Sequence, residues 1–223
     1  MNRRKMFAQV FLAAIGLMLI GTLAIAEPSK EAQPAAAQQQ QSGGAPEMEL
    51  PPGWTAEDMQ ACMAAGTPGK MQEHLTKDAG TWQGRQQMWM FGSEAPMTSE
   101  VSSTITPMMD GRYTKVEVAG EMPGMGPYTG LGIYGYDNVA QKFVCTWIDN
   151  HSTGTMNGVG ELSPDGKTIT WQFSYHCPIT KKPTVMRQIE TNTGPNAKTL
   201  EMFGNDPKTG KESKMMRIEM TRK

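Results

Sequence analysis

From Thr81 to the C-terminus, apolar and polar residues alternate along the chain with a period of two. This period is typical of β-strands, because successive side chains of a strand point to opposite faces of a sheet. Segments of this kind are separated by short stretches rich in Gly, Pro, Asn and Asp, which indicate tight turns. The predicted strands are residues 81–91, 98–108, 112–122, 128–137, 142–150, 153–162, 167–177, 184–192, 198–204 and 211–223.

The alternation also predicts which face of the sheet is buried. In KTITWQFSYHC (167–177), the apolar positions Ile169, Trp171, Phe173 and Tyr175 share one face. An antiparallel meander of this length has to protect its edge strands. The sequence therefore predicts a mainly β fold that closes into a barrel of about 8–10 strands, wide enough for one small ligand. A sandwich of two sheets is the alternative architecture.

One or two short helices are expected before the first strand. In TAEDMQACMAAG (55–66), Thr55 is a suitable N-cap, acidic residues follow it, and Gly66 ends the segment. Residues 67–80 repeat the pattern weakly. We expect a helical lead-in over residues 55–79 and a single domain over residues 54–223, which is long enough to bury a core.

The N-terminus resembles a secretory signal peptide. It has the cationic start MNRRK, an apolar run over residues 10–26, and small residues at Ala24 and Ala26. Cleavage after Ala26 would make the protein periplasmic or extracellular and leave no membrane span. The alternative is an uncleaved anchor, because the apolar run approaches the length that crosses a bilayer. Residues 27–53 are rich in Ala, Gln, Pro and Gly, and are predicted to form a disordered linker.

The charge of the chain disfavours nucleic acid as a partner. The formal net charge is −1, and cleavage of the signal peptide would remove three basic residues and no acidic one. A mildly acidic chain lacks the basic surface that would attract nucleic acids or anionic lipids.

Three cysteines, Cys62, Cys145 and Cys177, are an odd set for an exported protein. A Cys145–Cys177 disulfide would be possible if their strands were neighbours, and three free buried thiols are the alternative. The absence of a CxxC motif excludes a thioredoxin-like or zinc-ribbon site.

Two groups of residues raise the question of a metal site. Asp149, His151 and His176, together with Cys145, could approach one another at the end of a barrel. The sequence has no HxH, HExxH or HxxxH spacing, so a hairpin turn capped by Asp149 and Ser152 is the favoured interpretation. Of the 20 methionines, Met122 and Met125 lie in a predicted loop and could hold Cu(I). Apolar lining of a pocket is the favoured use of methionine.

No motif in the sequence indicates catalysis, and neither a catalytic residue nor a cofactor is predicted. There is no G-x-S-x-G. The glycine-rich stretch at residues 120–135 precedes a strand rather than a helix, so it cannot form the phosphate site of a dinucleotide fold.

The order of several motifs resembles that of the bacterial proteins of unknown function called DUF1579, over about residues 70–223. The motifs are HLTKDAGTWQG, MDGRYTKVEVAGEM, GLGIYGYDNVAQKFVCTWIDNHSTG, GELSPDGKTITW and FGNDPKTGKESKMMRIEMTRK. The resemblance implies a lipocalin-like or calycin barrel, in which a Gly-x-Trp motif closes one end; here that motif is Gly80 to Trp82. It implies no established activity, cofactor or set of catalytic residues.

The leading functional hypothesis is non-enzymatic binding of a small apolar or amphipathic ligand inside the barrel. The predicted ligand-binding residues are Trp89, Tyr113, Tyr134, Trp147, Trp171 and Phe173. The alternatives are a structural or interaction module of the cell envelope with a filled barrel, and a Met- or His-based copper binder. The sequence leaves the oligomeric state open.

Overall fold

The computed structural model describes residues 50–90 and 93–223. The predicted signal peptide (1–26) and the predicted linker as far as residue 49 lie outside these residues. Two short helices come first, α1 (Ala56–Gly66) and α2 (Lys70–Thr76). None of the helices in the described ranges has the length and hydropathy needed to cross a bilayer.

Ten strands follow the helices, and the predicted strands correspond to them one by one. They are β1 (Gly80–Met88), β2 (Met97–Met108), β3 (Tyr113–Met122), β4 (Gly126–Asp137), β5 (Lys142–Asp149), β6 (Met156–Leu162), β7 (Thr168–His176), β8 (Pro183–Gly194), β9 (Ala197–Asn205) and β10 (Glu212–Arg222). Each strand pairs antiparallel with the next, and β1 also pairs with β10. The sheet is therefore a closed barrel, so the barrel prediction is confirmed and the sandwich alternative is wrong.

Helix α1 begins at the N-cap that the sequence predicts. The Thr55 hydroxyl accepts a hydrogen bond from the backbone N–H of Asp58 at 3.2 Å, and the Asp58 carboxylate accepts one from the Thr55 N–H at 2.9 Å. This reciprocal pair satisfies two N–H groups that the first turn of a helix leaves without a partner.

Helix α2 packs against the barrel through Gln72 and Asn138. The Gln72 side-chain amide donates to the Tyr136 carbonyl at 3.0 Å and to Asn138 Oδ1 at 2.8 Å. The Asn138 amide in turn donates to the Thr67 carbonyl at 2.8 Å, in the segment between the two helices. These bonds fix the helical segment to the β4–β5 turn at one end of the barrel, which we call the floor.

At the floor, the chain enters β1 through Gly80, which has a φ of +126°. An L-side chain rarely adopts this backbone conformation, so glycine is needed at the swing from helix into strand. Trp82 follows and is only 1% exposed. Its indole N–H donates to the Asp78 carbonyl at 2.9 Å, and the Arg222 guanidinium lies 4.4 Å from the ring centroid. The end of the chain is thereby packed against the start of the barrel.

The buried hydrophobic residues of the interior form two clusters, and the partly buried Val116 packs against both. The buried members of the aromatic cluster are Tyr134, Phe143, Cys145, Ile169, Trp171, Phe173 and Met186. Those of the aliphatic cluster are Trp82, Val101, Ile105, Ile218 and Met220. The first cluster lies on β4, β5, β7 and β8, and the second lies on β1, β2 and β10.

The Cys145–Cys177 disulfide considered from the sequence does not form, because both cysteines are free thiols. Cys145 lies in the middle of β5, where it pairs with Tyr134 and Gly158. Cys177 lies beyond the end of β7, and β6 separates the two strands. The strands of the two cysteines are therefore not neighbours.

Candidate functional site

A cavity of about 490 Å³ occupies the interior of the barrel and is lined by residues of both hydrophobic clusters. At the floor it reaches His74 and Leu75 of α2. At the opposite end, which we call the rim, it reaches Trp89 and Met90 just after β1. Met90 is 59% exposed, so the cavity reaches the protein surface at the rim.

Glycines on the inner face keep the cavity open by letting large rings lie against the wall. A Cβ atom added at Gly158 would lie 2.6 Å from Phe173, and one added at Gly160 would lie 2.8 Å from Trp171. Likewise, one added at Gly132 would lie 2.8 Å from the Trp147 ring. Real Cβ atoms do not approach other atoms so closely. The rings therefore occupy the space that the side chain of any residue other than glycine would fill at these three positions. The aromatic groups therefore extend along the wall instead of filling the interior.

Methionine is the most frequent residue type in the lining. The methionines that line the cavity are Met88, Met90, Met122, Met156, Met186, Met202, Met215, Met216 and Met220. Their unbranched thioether side chains adapt to irregular apolar surfaces at little cost. Met122, a residue of the copper hypothesis, lies in this lining, whereas Met125 is 60% exposed and does not.

Five of the six predicted ligand-binding residues line the cavity: Trp89, Tyr134, Trp147, Trp171 and Phe173. The sixth, Tyr113, does not. It lies on the outer face at the start of β3, is 39% exposed, and its ring covers Gly135. Its neighbour Thr114 takes the inward position and is 2% exposed. The alternation therefore placed the rings of β4, β5 and β7 on the inner face. Tyr113 shares its face with Lys115 and Glu117, so its predicted inward position did not follow the alternation of β3.

At the rim, Tyr128, Trp147 and His151 form a polar group next to Asp149. The Trp147 indole N–H donates to the Tyr128 hydroxyl at 3.2 Å, and the His151 ring stacks on Tyr128 with 5.8 Å between centroids. Burial, together with the Asp149 carboxylate, raises the pKa of Tyr128 to about 12, so its hydroxyl stays protonated. The hydroxyl can therefore donate a hydrogen bond into the cavity.

Asp149, His151 and His176, the three residues of the metal hypothesis, are not brought together. Asp149 and His151 line the rim, and the Asp149 carboxylate accepts a hydrogen bond from the His151 backbone N–H at 2.9 Å, as in the predicted turn. His176 is exposed on the opposite face of β7 from Tyr175. Within residues 50–90 and 93–223, no group of three His, Cys, Asp or Glu side chains is placed to hold a metal ion.

The floor carries a buried group of charges around Lys198. The Lys198 ammonium lies 3.2 Å from a Glu190 carboxylate oxygen and 3.4 Å from one of Asp78, and 4.6 Å from the centroid of the Trp82 ring. Its side chain is only 7% exposed. Nearby, burial lowers the pKa of His74, and Lys77 lowers it further, while Asp78 and Glu190 oppose the shift.

Four buried, uncharged polar residues that line the cavity were not predicted from the sequence: Gln86, Ser103, Thr114 and Gln188. Each is at most 7% exposed. They occupy inward positions of β1, β2, β3 and β8, where the alternation calls for an apolar residue. A polar residue in the inward phase of a predicted strand is the signal that could have identified them.

Cys145 is not placed for catalysis. It is 4% exposed, and burial raises the pKa of its thiol to about 12. A thiol with such a pKa is not a nucleophile at neutral pH.

Comparison with known proteins supports the fold. The family model described as "Protein of unknown function (DUF1579)" matches residues 67–222. No curated protein matches the chain. A crystal structure of Rv2717c from M. tuberculosis is similar to this chain, with a TM-score of 0.54 and 14% sequence identity. The similarity covers 70% of this chain and 99% of that one. At this identity, the likeness concerns the fold alone.

Proposed function

We propose that this chain, which belongs to the DUF1579 family of proteins of unknown function, binds a small apolar or amphipathic molecule inside its barrel without transforming it. The observation that carries the proposal is the cavity of about 490 Å³ between the two hydrophobic clusters. Its volume lies within the range of small-molecule sites, about 300–1,000 Å³. Its lining is mostly methionine, aromatic and aliphatic, and polar residues are the minority.

The cavity favours a carrier over a structural module with a filled barrel. A barrel of this kind would gain dispersion and hydrophobic energy from side chains that filled its interior. Here, glycines next to Trp147, Trp171 and Phe173 make room for the rings at the wall, and a space inside the barrel remains. The proposed binding function gives that space a role.

The copper alternative has weaker support. Of the two methionines that raised it, Met122 lines the cavity and Met125 is exposed. The many other methionines of the lining are explained by their adaptable apolar contacts with a ligand. Elemental analysis of the purified protein would test this alternative directly.

We propose further that the protein is exported, on the strength of the signal-like residues 1–26. The test is the mass of the protein recovered from its native host. A mature chain that begins at Glu27 in the periplasmic or extracellular fraction would support export. An intact N-terminus in the cytoplasmic fraction would contradict it.

The binding function is tested by native mass spectrometry of protein purified without detergent, together with titration of the neutral fluorescent probe N-phenyl-1-naphthylamine. We expect an adduct of small mass that organic solvent extracts, and a probe signal that saturates at one site. Trp147→Ala, which removes a ring from the lining, should change the affinity for the probe. Trp54→Ala, outside the cavity and 46% exposed, should not. If no adduct is found and the probe does not bind, the proposal is wrong.

A further inference from the structure

Four buried residues with an amide or aliphatic hydroxyl side chain face the cavity and have no side-chain hydrogen bond in the described part of the chain. They are Gln86, Ser103, Thr114 and Gln188. In residues 50–90 and 93–223, the side-chain N and O atoms that are both fully enclosed and unpaired are Ser99 Oγ and Trp171 Nε1. The polar atoms of the four residues are not among these, so they are accessible, and the space that gives access is the cavity.

Such groups need a partner in the bound state. A buried amide or hydroxyl that makes no hydrogen bond costs about 1–3 kcal/mol, and native proteins pair nearly all of them. Gln86, Ser103 and Thr114 lie on the consecutive strands β1, β2 and β3, at three successive levels between the rim and the floor. Gln188 lies on β8, where it pairs with Trp171 of the aromatic cluster.

The charges around the cavity argue against an anionic ligand. The lining contains three carboxylates (Asp78, Asp149 and Glu190) and two lysines (Lys167 and Lys198). Lys198, the buried cation, is already paired with Asp78 and Glu190. A ligand carboxylate would lose its hydration and find no unpaired buried cation, which is unfavourable in a low-dielectric interior.

The four polar side chains themselves are neutral groups. Amides and hydroxyls offer donors and acceptors to a neutral oxygen, but they do not compensate for burial of a full charge. We infer that the ligand is an uncharged, largely apolar molecule that carries hydroxyl or carbonyl oxygens, and that these oxygens pair with Gln86, Ser103, Thr114 and Gln188. This inference rests on the proposed binding function and adds the chemical class of the ligand.

The test compares four probes that share one alkyl chain: n-decane, n-decanol, decanoate and decylammonium. Each displaces N-phenyl-1-naphthylamine from the purified protein, and the dissociation constants are compared. We expect n-decanol to bind about fivefold more tightly than n-decane, the effect of one net hydrogen bond. We expect decanoate and decylammonium to bind more weakly than n-decanol.

Variants of the inward polar residues test which side chains cause the preference for n-decanol over n-decane. Gln188→Leu and Gln86→Leu replace a buried amide by an apolar group of similar size, so the preference for n-decanol over n-decane should fall while the binding of n-decane is kept or improved. Thr114→Val makes the same test, because valine has the shape of threonine but lacks the hydroxyl. Gln83→Leu and Gln172→Leu are matched controls, because these glutamines are exposed on the outer faces of β1 and β7.

The outcomes separate this inference from the proposed function. If the probes bind but decanoate or decylammonium binds best, the ligand class is wrong and the binding function stands. The same holds if every inward variant keeps the full preference for n-decanol, which would mean that water satisfies the four side chains. If no probe binds and nothing displaces N-phenyl-1-naphthylamine, the binding function itself is overturned.

Discussion

At the scale of single residues, pairs of a glycine and an aromatic ring determine the shape of the interior. Phe173 rests on Gly158, Trp171 on Gly160, and Trp147 on Gly132. The ring supplies the large apolar area that stabilises the barrel, and the glycine supplies the space in which the ring lies flat. Stability and an open cavity thus come from the same pairs.

Gly158→Ala should both destabilise the protein and weaken binding. The new methyl group would lie 2.6 Å from Phe173, so the ring would have to move toward the cavity. Overpacking of this kind costs roughly 1–3 kcal/mol. We expect a lower urea midpoint and weaker binding of N-phenyl-1-naphthylamine. Gly154→Ala is the control, because a Cβ atom there has no atom within 4 Å. Equal effects of the two substitutions would contradict this interpretation.

Lys198→Met should be among the most damaging single changes at the floor. It keeps the apolar stem of the side chain but leaves Glu190 and Asp78 without their shared cation. Breaking a buried ion pair costs about 3–5 kcal/mol, which urea unfolding would measure. The control is Lys142→Met, whose salt bridge with Glu161 is exposed on both sides and is worth at most about 1 kcal/mol. Comparable losses would show that the floor charges contribute no more than surface ones.

At the scale of elements, the helical segment is fixed to the barrel by side-chain amides rather than by a large apolar face. Helix α1 has no buried residue, and Gln72 is the buried residue of α2. Leu75 of α2 packs against the aromatic cluster, and the hydrogen bonds of Gln72 and Asn138 supplement this small apolar contact.

Asn138→Ala should loosen the two helices and leave the barrel intact. It removes the hydrogen bonds that the Asn138 amide donates to Ala65 and Thr67, and the acceptor of Gln72. We expect faster amide hydrogen exchange over residues 56–76 and unchanged protection of β5 to β9. Asn205→Ala, at the exposed end of β9, is the control. Loss of protection throughout the barrel would mean that the helices are part of its folding unit.

Sequence alone predicted the elements well and the interior only in part. The period of two and the turn residues identify all ten strands, because strand geometry ties each side chain to one face. The sequence does not specify whether an inward ring projects into the barrel or lies against its wall, since this depends on the residue across the strand pair. Trp147 lies flat because Gly132 on β4 pairs with it. Tyr113 and Gln188 were misjudged for another reason, because residue type was weighed above phase. Tyr113 is aromatic but has the outward phase of Lys115, and Gln188 is polar but has the inward phase of Met186.

At the scale of the whole molecule, the closed barrel couples the floor to every strand. Seven residue pairs join β1 to β10, from Trp82 with Arg222 to Met88 with Met216, so each strand is paired on both sides. An event at the floor therefore acts on the stability of the entire barrel, because no strand can separate without opening the sheet.

Titration of His74 at the floor should make this global stability depend on pH. Burial lowers the pKa of His74 in the folded protein below its ordinary value of 6.5. The unfolded chain then binds the proton more readily, so stability is complete above about pH 6.5 and falls as the pH drops toward the folded pKa. We expect the urea midpoint to fall between about pH 7.5 and pH 5.5, and His74→Gln to reduce that fall. His176→Gln, at an exposed position, should leave it unchanged.

The contact between rings and glycines also has a consequence for the effect of substitutions. A substitution at Gly132, Gly158 or Gly160 can only add side-chain atoms to the inner face of the barrel, because glycine has no side chain. A mutation at Trp147, Trp171 or Phe173 mostly removes them. Substitutions can therefore narrow the cavity from β4 and β6 and widen it from β5 and β7, so two separate sets of positions determine the volume of the cavity.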